Sequence, residues 1–312
     1  MSQIIQQAPF ADALVKLGER RKDVVVLSAD LSKYTDILPF AEKFPKRFIQ
    51  VGMAEQNMMG IAGGLAKTGL LPIAVTYGVF ATRRAYEQVA MALCTGPSPA
   101  IIVAFLPGIT TPFKATHQAI DDLGLMRSLP SMRVIDPADG TELASALNAA
   151  ANQSGPVYIR GLRGNVDQLF PPEDFEFQIG KARLLADGSD VAIISTGLGT
   201  NWALDSIKIL AQKNIKSTLL HVPTLKPLDY EAIGAIGRIF SRIYVVENHS
   251  VIGGLASATS SVVAEAGIST KIIPLGIPDL WAPAGSINYI RDQLGLSADA
   301  IAQKIKFMEA NS

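Results

Sequence analysis

The stretch FIQVGMAEQNMMGIAGGLA, residues 48–66, places one carboxylate, Glu55, between an apolar run and a segment rich in small residues. Phe48–Val51 predicts a β-strand, and Asn57–Thr68 predicts a helix. A carboxyl group surrounded by apolar side chains has its charged form disfavoured, so Glu55 is a candidate for proton transfer. The alternative interpretation is a glutamate at the start of a helix that complements the helix dipole.

The same alternation of short strands and helices continues on both sides of this stretch. The predicted strands are apolar on both faces, which is typical of parallel sheets with helices on either side. The sequence therefore predicts an α/β fold of two domains, each a mainly parallel sheet covered by helices on both faces. We expect the first domain at residues 1–165, a linker at 166–185 around Pro171-Pro172, and the second domain at 186–312.

Composition excludes several classes of protein. Basic and acidic residues each number 28, so nucleic acid or an anionic membrane is not expected as the main partner. The first residues show no signal peptide, and the longest apolar stretch, Ala100–Leu106, is too short to span a membrane. The single cysteine, Cys94, fits a reducing compartment and is expected to be buried. We therefore expect a cytoplasmic protein.

Two further motifs follow residues 48–66 in a fixed order. They are TYGVFATRRAYEQV, residues 76–89, and ATHQAIDDLGLMRSLPSMRVIDPAD, residues 115–139. Three spaced motifs are far more specific than any one of them. Together they resemble the pyrimidine-binding region of transketolases, and the resemblance extends from about residue 8 to about residue 300.

The resemblance implies thiamine diphosphate as the cofactor and assigns residues to it. Glu55 matches the glutamate that shifts the aminopyrimidine to its imino tautomer, and Phe80 matches the aromatic ring on which the pyrimidine stacks. Arg83 and Tyr86 lie at i+3 and i+6 from Phe80, so an α-helix would place them on the same face. Asp30 matches an acidic residue at the end of the first strand, although capping of the next helix is an alternative.

The resemblance also implies residues that face the substrate. His117 matches a substrate-facing, catalytic imidazole, and Arg163 keeps the place of a phosphate-binding arginine, with Arg127 as a weaker candidate. Phe113 stands where the family has an aspartate that binds a donor hydroxyl, and Leu106 falls near a family histidine. The ketose donor is therefore expected to be phosphorylated, and the usual sugar-phosphate donor is not expected to be the preferred one. His221 and His249 are interpreted as structural or domain-interface residues.

No Gly-Asp-Gly with a downstream Asn, the family's mark for holding the diphosphate through a metal, occurs in these 312 residues. The resemblance is therefore to the C-terminal subunit of a two-chain transketolase. It implies an N-terminal partner subunit that holds Mg²⁺ or another divalent cation, an α2β2 heterotetramer, and transfer of a two-carbon ketol unit from a ketose to an aldehyde.

Three alternatives remain open at this point. The chain could be half of a deoxyxylulose-phosphate synthase-like enzyme, which shares the Arg-Gly-Asn run at Arg163 but is normally one long chain. It could be the beta chain of a 2-oxoacid dehydrogenase, although those chains have a different glutamate motif and no ATHQAIDDL segment. A scaffold that kept the fold without the cofactor is disfavoured, since Glu55, Phe80 and His117 are all present.

Overall fold

The structure is a computed structural model that describes residues 4–173 and 175–311. These residues form two compact units. The first contains the described residues up to Pro107 together with Leu125–Ile179, and the second contains Gly108–Gly124 and the chain from Gly180 onwards. Within the described ranges, no helix is long and apolar enough to cross a membrane.

The first half of the chain alternates strands and helices. The strands are β1 (Ile5–Gln7), β2 (Val24–Ser28), β3 (Phe48–Gln50), β4 (Leu71–Tyr77), β5 (Ile101–Phe105), β6 (Arg133–Ile135), β7 (Val157–Arg160) and β8 (Asn165–Asp167). The helices are α1 (Pro9–Arg20), α2 (Leu38–Lys43), α3 (Glu55–Lys67), α4 (Tyr86–Gln88), α5 (Asp122–Ser128) and α6 (Gly140–Ala150). Helix α4 lies between two π-helical segments, Phe80–Arg84 and Val89–Cys94, and the latter buries Cys94.

The main sheet of the first unit is parallel. Its strands lie in the order β6-β7-β5-β4-β2-β3. Every residue of β2, β4, β5 and β7 is buried, as expected for strands that are covered by helices on both faces. Strand β3 lies on one side of β2, and the next strand in the sequence, β4, lies on the other side of β2. Ligands of parallel sheets bind at the carboxyl ends of strands beside such a change of direction.

The segment that the sequence predicts to be a linker, residues 166–185, makes ordered contacts with the first unit in its first half. Strand β8 pairs antiparallel with β1. Asp139 caps α6 by accepting from the Glu142 N–H and also accepts from the N–H groups of Leu169 and Phe170, at 2.7 to 2.8 Å. Burial raises the pKa of the Asp139 carboxyl, and these three bonds oppose the rise. The compact unit therefore extends to Ile179.

The second unit is a smaller α/β layer. Its strands are β9 (Arg183–Ala186), β10 (Val191–Ser195), β11 (Ser217–His221), β12 (Thr224–Lys226), β13 (Arg242–Ser250) and β14 (Lys271–Ile277). Its helices are α7 (Leu198–Ala211), α8 (Tyr230–Ile239), α9 (Leu255–Glu265), α10 (Ile287–Gln293) and α11 (Ala298–Ala310). The sheet order is β14-β13-β10-β11-β9, parallel except for β9. The predicted fold class is confirmed in both units.

Candidate active site

The loops that follow β2 and β3 are joined by one amide side chain, that of Gln50. Its Oε1 accepts from the N–H of Asp30 at 2.7 Å and from the N–H of Gly52 at 3.3 Å, and its Nε2 donates to Ser32 Oγ at 3.3 Å. Asp30 has a left-handed backbone with φ of 59° and is exposed at this edge of the sheet. The 3₁₀ helix that follows it has no side-chain cap, so the capping role considered for Asp30 is not formed.

Glu55 is the first residue of α3 and is almost completely buried, with 2% of its surface exposed. Both carboxylate oxygens accept from one nitrogen, Nη1 of Arg84, at 3.0 and 2.9 Å. Its neighbours Met58 and Met59 are fully buried, whereas Met53 is exposed. The apolar surroundings predicted from the sequence are thus combined with an ion pair that the sequence did not predict.

Arg84 also covers the aromatic ring that the sequence assigned to the cofactor. Its guanidinium carbon lies 4.2 Å from the centroid of the Phe80 ring. The Phe80 ring in turn lies 5.9 Å from that of Tyr77, at an angle of 30°. Glu55, Arg84, Phe80 and Tyr77 therefore form one continuous row at the carboxyl ends of the strands.

The segment Phe80–Arg84 forms a π-helical turn, and Arg84, four residues after Phe80, contacts both Glu55 and the Phe80 ring. Tyr86 lies beyond this turn, where its hydroxyl donates to Leu125 O at 3.2 Å and pairs with Ser128 Oγ at 2.7 Å. Its hydroxyl therefore contacts α5, the helix that carries the partly buried Arg127 in its last turn.

Arg163 lies at the other end of the row. Its Nη1 donates to the carbonyl oxygen of Tyr34 at 3.0 Å, and the next residue, Gly164, donates its N–H to Asp36 Oδ2 at 3.1 Å. Burial raises the pKa of the Tyr77 phenol, while the charge of Arg163 opposes that rise. Arg163 thus places a positive charge close to Tyr77 within the first unit.

His117 belongs to the second unit, on the segment Gly108–Gly124. Its Nδ1 forms a hydrogen bond of 2.9 Å with Thr116 Oγ1, which orients the imidazole ring. The Phe113 ring lies 5.3 Å from the imidazole, and 61% of the Phe113 surface is exposed. An aromatic surface therefore stands beside the imidazole, at the position where the resemblance leads one to expect a carboxylate.

The segment that carries His117 is fixed at both ends to buried residues near the end of β13. Asn248 Oδ1 accepts from the N–H of Ile109 at 3.0 Å. His249 donates from Nδ1 to Ser250 O at 2.7 Å, so its Nε2 accepts from the N–H of Gly124 at 3.3 Å. This supports the structural role that the sequence suggested for His249 and explains Asn248, which sequence reasoning missed.

A planar nitrogen heterocycle fits the place that Arg84 fills. The Arg84 guanidinium is planar, is hydrogen-bonded to Glu55 and lies over the Phe80 ring. An aminopyrimidine also requires a hydrogen bond with a carboxyl group and a face for stacking, although there the carboxyl group provides the proton. A metal site was not found: within residues 4–173 and 175–311, no three His, Cys, Asp or Glu side chains are placed to hold an ion. The described residues thus fit the pyrimidine end of thiamine diphosphate.

Two family models match the chain. Residues 4–168 match the transketolase pyrimidine-binding domain, and residues 180–301 match the transketolase C-terminal domain. The chain belongs to the transketolase family. A protein of Sinorhizobium fredii described as a transketolase family protein is 42% identical over 96% of this chain and 87% of its own length.

Other members of the transketolase family match over different shares of their length. A 6-deoxy-6-sulfo-D-fructose transketolase subunit of Clostridium sp. (strain MSTE9) is 34% identical over 94% of this chain and 91% of its own. The structure of a split-gene transketolase in an inactive β4 tetramer superposes with a TM-score of 0.87 at 37% identity, covering 96% of this chain and 98% of that one. The 1-deoxy-D-xylulose-5-phosphate synthase of Dictyoglomus thermophilum is 35% identical over 95% of this chain, which spans only 48% of that protein.

Proposed function

We propose that this chain is the pyrimidine-binding and C-terminal subunit of a two-chain transketolase, which moves a two-carbon ketol unit from an anionic ketose to an aldehyde. The observation that carries the proposal is the pairing of a buried carboxylate, Glu55, with an aromatic ring, Phe80, both in contact with one planar cationic group. This is the combination that an aminopyrimidine requires: an acid at its ring nitrogen and a face for stacking.

Bound thiamine diphosphate would supply a carbon nucleophile on its thiazolium ring. Glu55 would hold a proton toward a pyrimidine nitrogen, and its burial would exclude competing water from that hydrogen bond. Phe80 would support the pyrimidine from one face. Arg163 and Arg127 would bind the anionic end of the sugar, and His117 would hold or move a proton on the substrate.

A second subunit is part of the same proposal. The chain covers 91% of the sulfofructose transketolase subunit and 98% of the split-gene transketolase chain, whereas it spans about half of the single-chain synthase. The described residues offer no group of side chains for a divalent cation. We infer that an N-terminal subunit provides the Mg²⁺ and diphosphate site in an α2β2 heterotetramer, and that the enzyme is cytoplasmic as the sequence suggests.

Half of a deoxyxylulose-phosphate synthase-like enzyme is the second candidate. It is favoured by the 35% identity to the Dictyoglomus thermophilum synthase over 95% of this chain. A synthase would decarboxylate a 2-oxoacid before carbon–carbon bond formation, whereas a transketolase would use a ketose donor and release no carbon dioxide. Carbon dioxide release from pyruvate in the reconstituted enzyme distinguishes the two.

The role of Glu55 can be tested with Glu55→Gln in the complex with the partner subunit. An amide cannot deliver the proton that the carboxyl provides, so hydrogen–deuterium exchange at the cofactor C2 position should slow by a factor on the order of 10² to 10⁴. The matched control is Glu87→Gln, which makes the same change at an exposed residue near the π-helical turn. An exchange rate in Glu55→Gln equal to that of the control would remove Glu55 from the cofactor site.

A further inference from the structure

One side chain, that of Arg84, contacts both groups that the proposed function assigns to the pyrimidine. Its Nη1 lies 3.0 and 2.9 Å from the two oxygens of Glu55, and its guanidinium carbon lies 4.2 Å from the centroid of the Phe80 ring. A planar ligand that is hydrogen-bonded to Glu55 and stacks on the same face of Phe80 would occupy the same volume. Arg84 and such a ligand therefore exclude each other in this conformation.

The contact with Glu55 is of a kind that can be released. Arginine binds a carboxylate most strongly when two of its nitrogens each donate to one oxygen. Here a single nitrogen bridges both oxygens, and 48% of the Arg84 side chain is exposed, compared with 2% for Glu55. Because about half of the Arg84 side chain is already exposed, it can rotate into water at small cost once a ligand takes its place at Glu55.

Glu55 nevertheless needs a partner when no ligand is bound. A buried carboxylate that loses its only counter-charge destabilises the folded chain, because its desolvation is no longer compensated. Within the part of the chain that the structure describes, Arg84 is the side chain hydrogen-bonded to the Glu55 oxygens. Arg84 thus protects this carboxylate in the ligand-free chain.

We propose that Arg84 is an internal competitor of the cofactor, which occupies the pyrimidine place in the ligand-free chain and must leave it when thiamine diphosphate binds. The inference rests on the proposed function and adds a residue that regulates loading of the site. It predicts two effects of opposite sign for one substitution. Removing Arg84 lowers the stability of the ligand-free chain and raises its affinity for the cofactor, whereas a purely structural arginine would lower both.

The test compares Arg84→Ala and Arg84→Lys with wild type. Lysine keeps the charge at Glu55 but cannot stack as a planar group on Phe80, so it should give the intermediate result. Lys67→Ala is the control, because it removes one positive charge from the exposed end of the helix that Glu55 begins. Two quantities are measured: the midpoint of urea unfolding for the chain alone, and the Kd of thiamine diphosphate with Mg²⁺ by calorimetry in the two-subunit complex.

We expect Arg84→Ala to lower the unfolding midpoint and to lower the Kd about tenfold, with Lys67→Ala unchanged in both. Suppose that the wild-type complex binds thiamine diphosphate and that the Kd for Arg84→Ala is equal to or higher than the wild-type Kd. This result would overturn the competitor role and leave the proposed function intact. If neither wild type nor any variant binds thiamine diphosphate, the proposed function itself is contradicted, and the role of Arg84 with it.

Discussion

At the scale of single residues, Arg163, Arg127 and His117 are the residues proposed to face the substrate, and the Phe113 ring lies beside His117. The positive charge of Arg163 lies near the phenol of Tyr77. Burial raises the pKa of this phenol, and the charge of Arg163 opposes that rise. Phe113 presents an exposed ring beside His117. An anionic end and an apolar region of the donor are therefore both expected to be recognised.

Arg163→Ala should raise KM for a phosphorylated or sulfonated ketose far more than for a neutral ketose, since a charge-assisted hydrogen bond is worth about 1.5–3 kcal/mol. The comparison is kcat/KM over a donor panel for wild type, Arg163→Ala and the control Lys46→Ala, which removes an exposed charge from the same unit. Equal losses for charged and neutral donors would exclude Arg163 from the site.

The same panel tests donor choice. Because Phe113 cannot accept a hydrogen bond from a donor hydroxyl, xylulose 5-phosphate should be a poorer donor than some other anionic ketose. A kcat/KM that is highest for xylulose 5-phosphate would show that Phe113 does not set the preference.

Sequence reasoning proposed Glu55, Phe80 and Arg163 as site residues but did not predict the contacts of Arg84 that join Glu55 to Phe80. Arg84 was missed because nothing in the local sequence marks it as the partner of Glu55, which lies 29 residues earlier in the chain. Gln50 could have been suspected as a polar residue that ends an apolar strand beside Glu55. Asn248 accepts a hydrogen bond from the N–H group of Ile109, which lies 139 residues away in the sequence, and no local pattern reveals such a partner.

At the scale of elements, the strand predicted at Phe48–Val51 and the helix predicted at Asn57–Thr68 agree with β3 and α3 within two residues at each end. Strands β1, β8, β9 and β12 were not predicted, since each has only three or four residues, too few to establish a period. Helices α10 and α11 were also missed. The π turns and the assignment of Gly108–Gly124 to the second unit depend on tertiary packing, which periodicity does not encode.

The start of the segment Gly108–Gly124 depends on the conformation of its first residue. It has φ of 54°, and a Cβ atom there would collide with the Asn248 side chain. Gly267 has a similar φ of 62° but open space around it. Both Gly→Ala changes incur backbone strain, and Gly108→Ala should cost about 2 kcal/mol more because of the collision. Urea unfolding of the two variants measures the difference, and equal midpoints would show that the segment does not need this close approach.

Helix α11 is fixed to β13 by Tyr244, whose hydroxyl donates to Glu309 Oε1 at 2.6 Å. Burial, and secondly this bond, raise the pKa of Tyr244 from 10.0 to about 12. The folded chain thus retains the proton longer than the unfolded chain does. The stabilisation is complete below about pH 10 and is lost as the pH rises toward about 12.

Tyr244→Phe should therefore cost about 1 kcal/mol at neutral pH, and this cost should shrink as the pH rises above 10. The measurement is the difference in unfolding free energy between wild type and Tyr244→Phe from pH 8 to 11. Tyr230→Phe, at an exposed tyrosine of the same unit, is the control. A difference that stays constant across this range would contradict the shifted pKa.

At the scale of the whole molecule, the proposed activity requires a second polypeptide. The described residues provide a place for the pyrimidine but no set of ligands for a divalent cation, and the chain matches separate subunits over nearly their full length. Two-subunit assembly would then be a condition of activity, since neither subunit would hold the whole cofactor.

The most direct test is reconstitution. The purified chain is assayed for ketol transfer with thiamine diphosphate and Mg²⁺, alone and after addition of a purified N-terminal transketolase subunit from the same organism. We expect no turnover by the chain alone and saturable activity that reaches its maximum at equal amounts of the two subunits. Full turnover by the chain without any other polypeptide would contradict the account, as would the absence of ketol transfer in a stable complex of both.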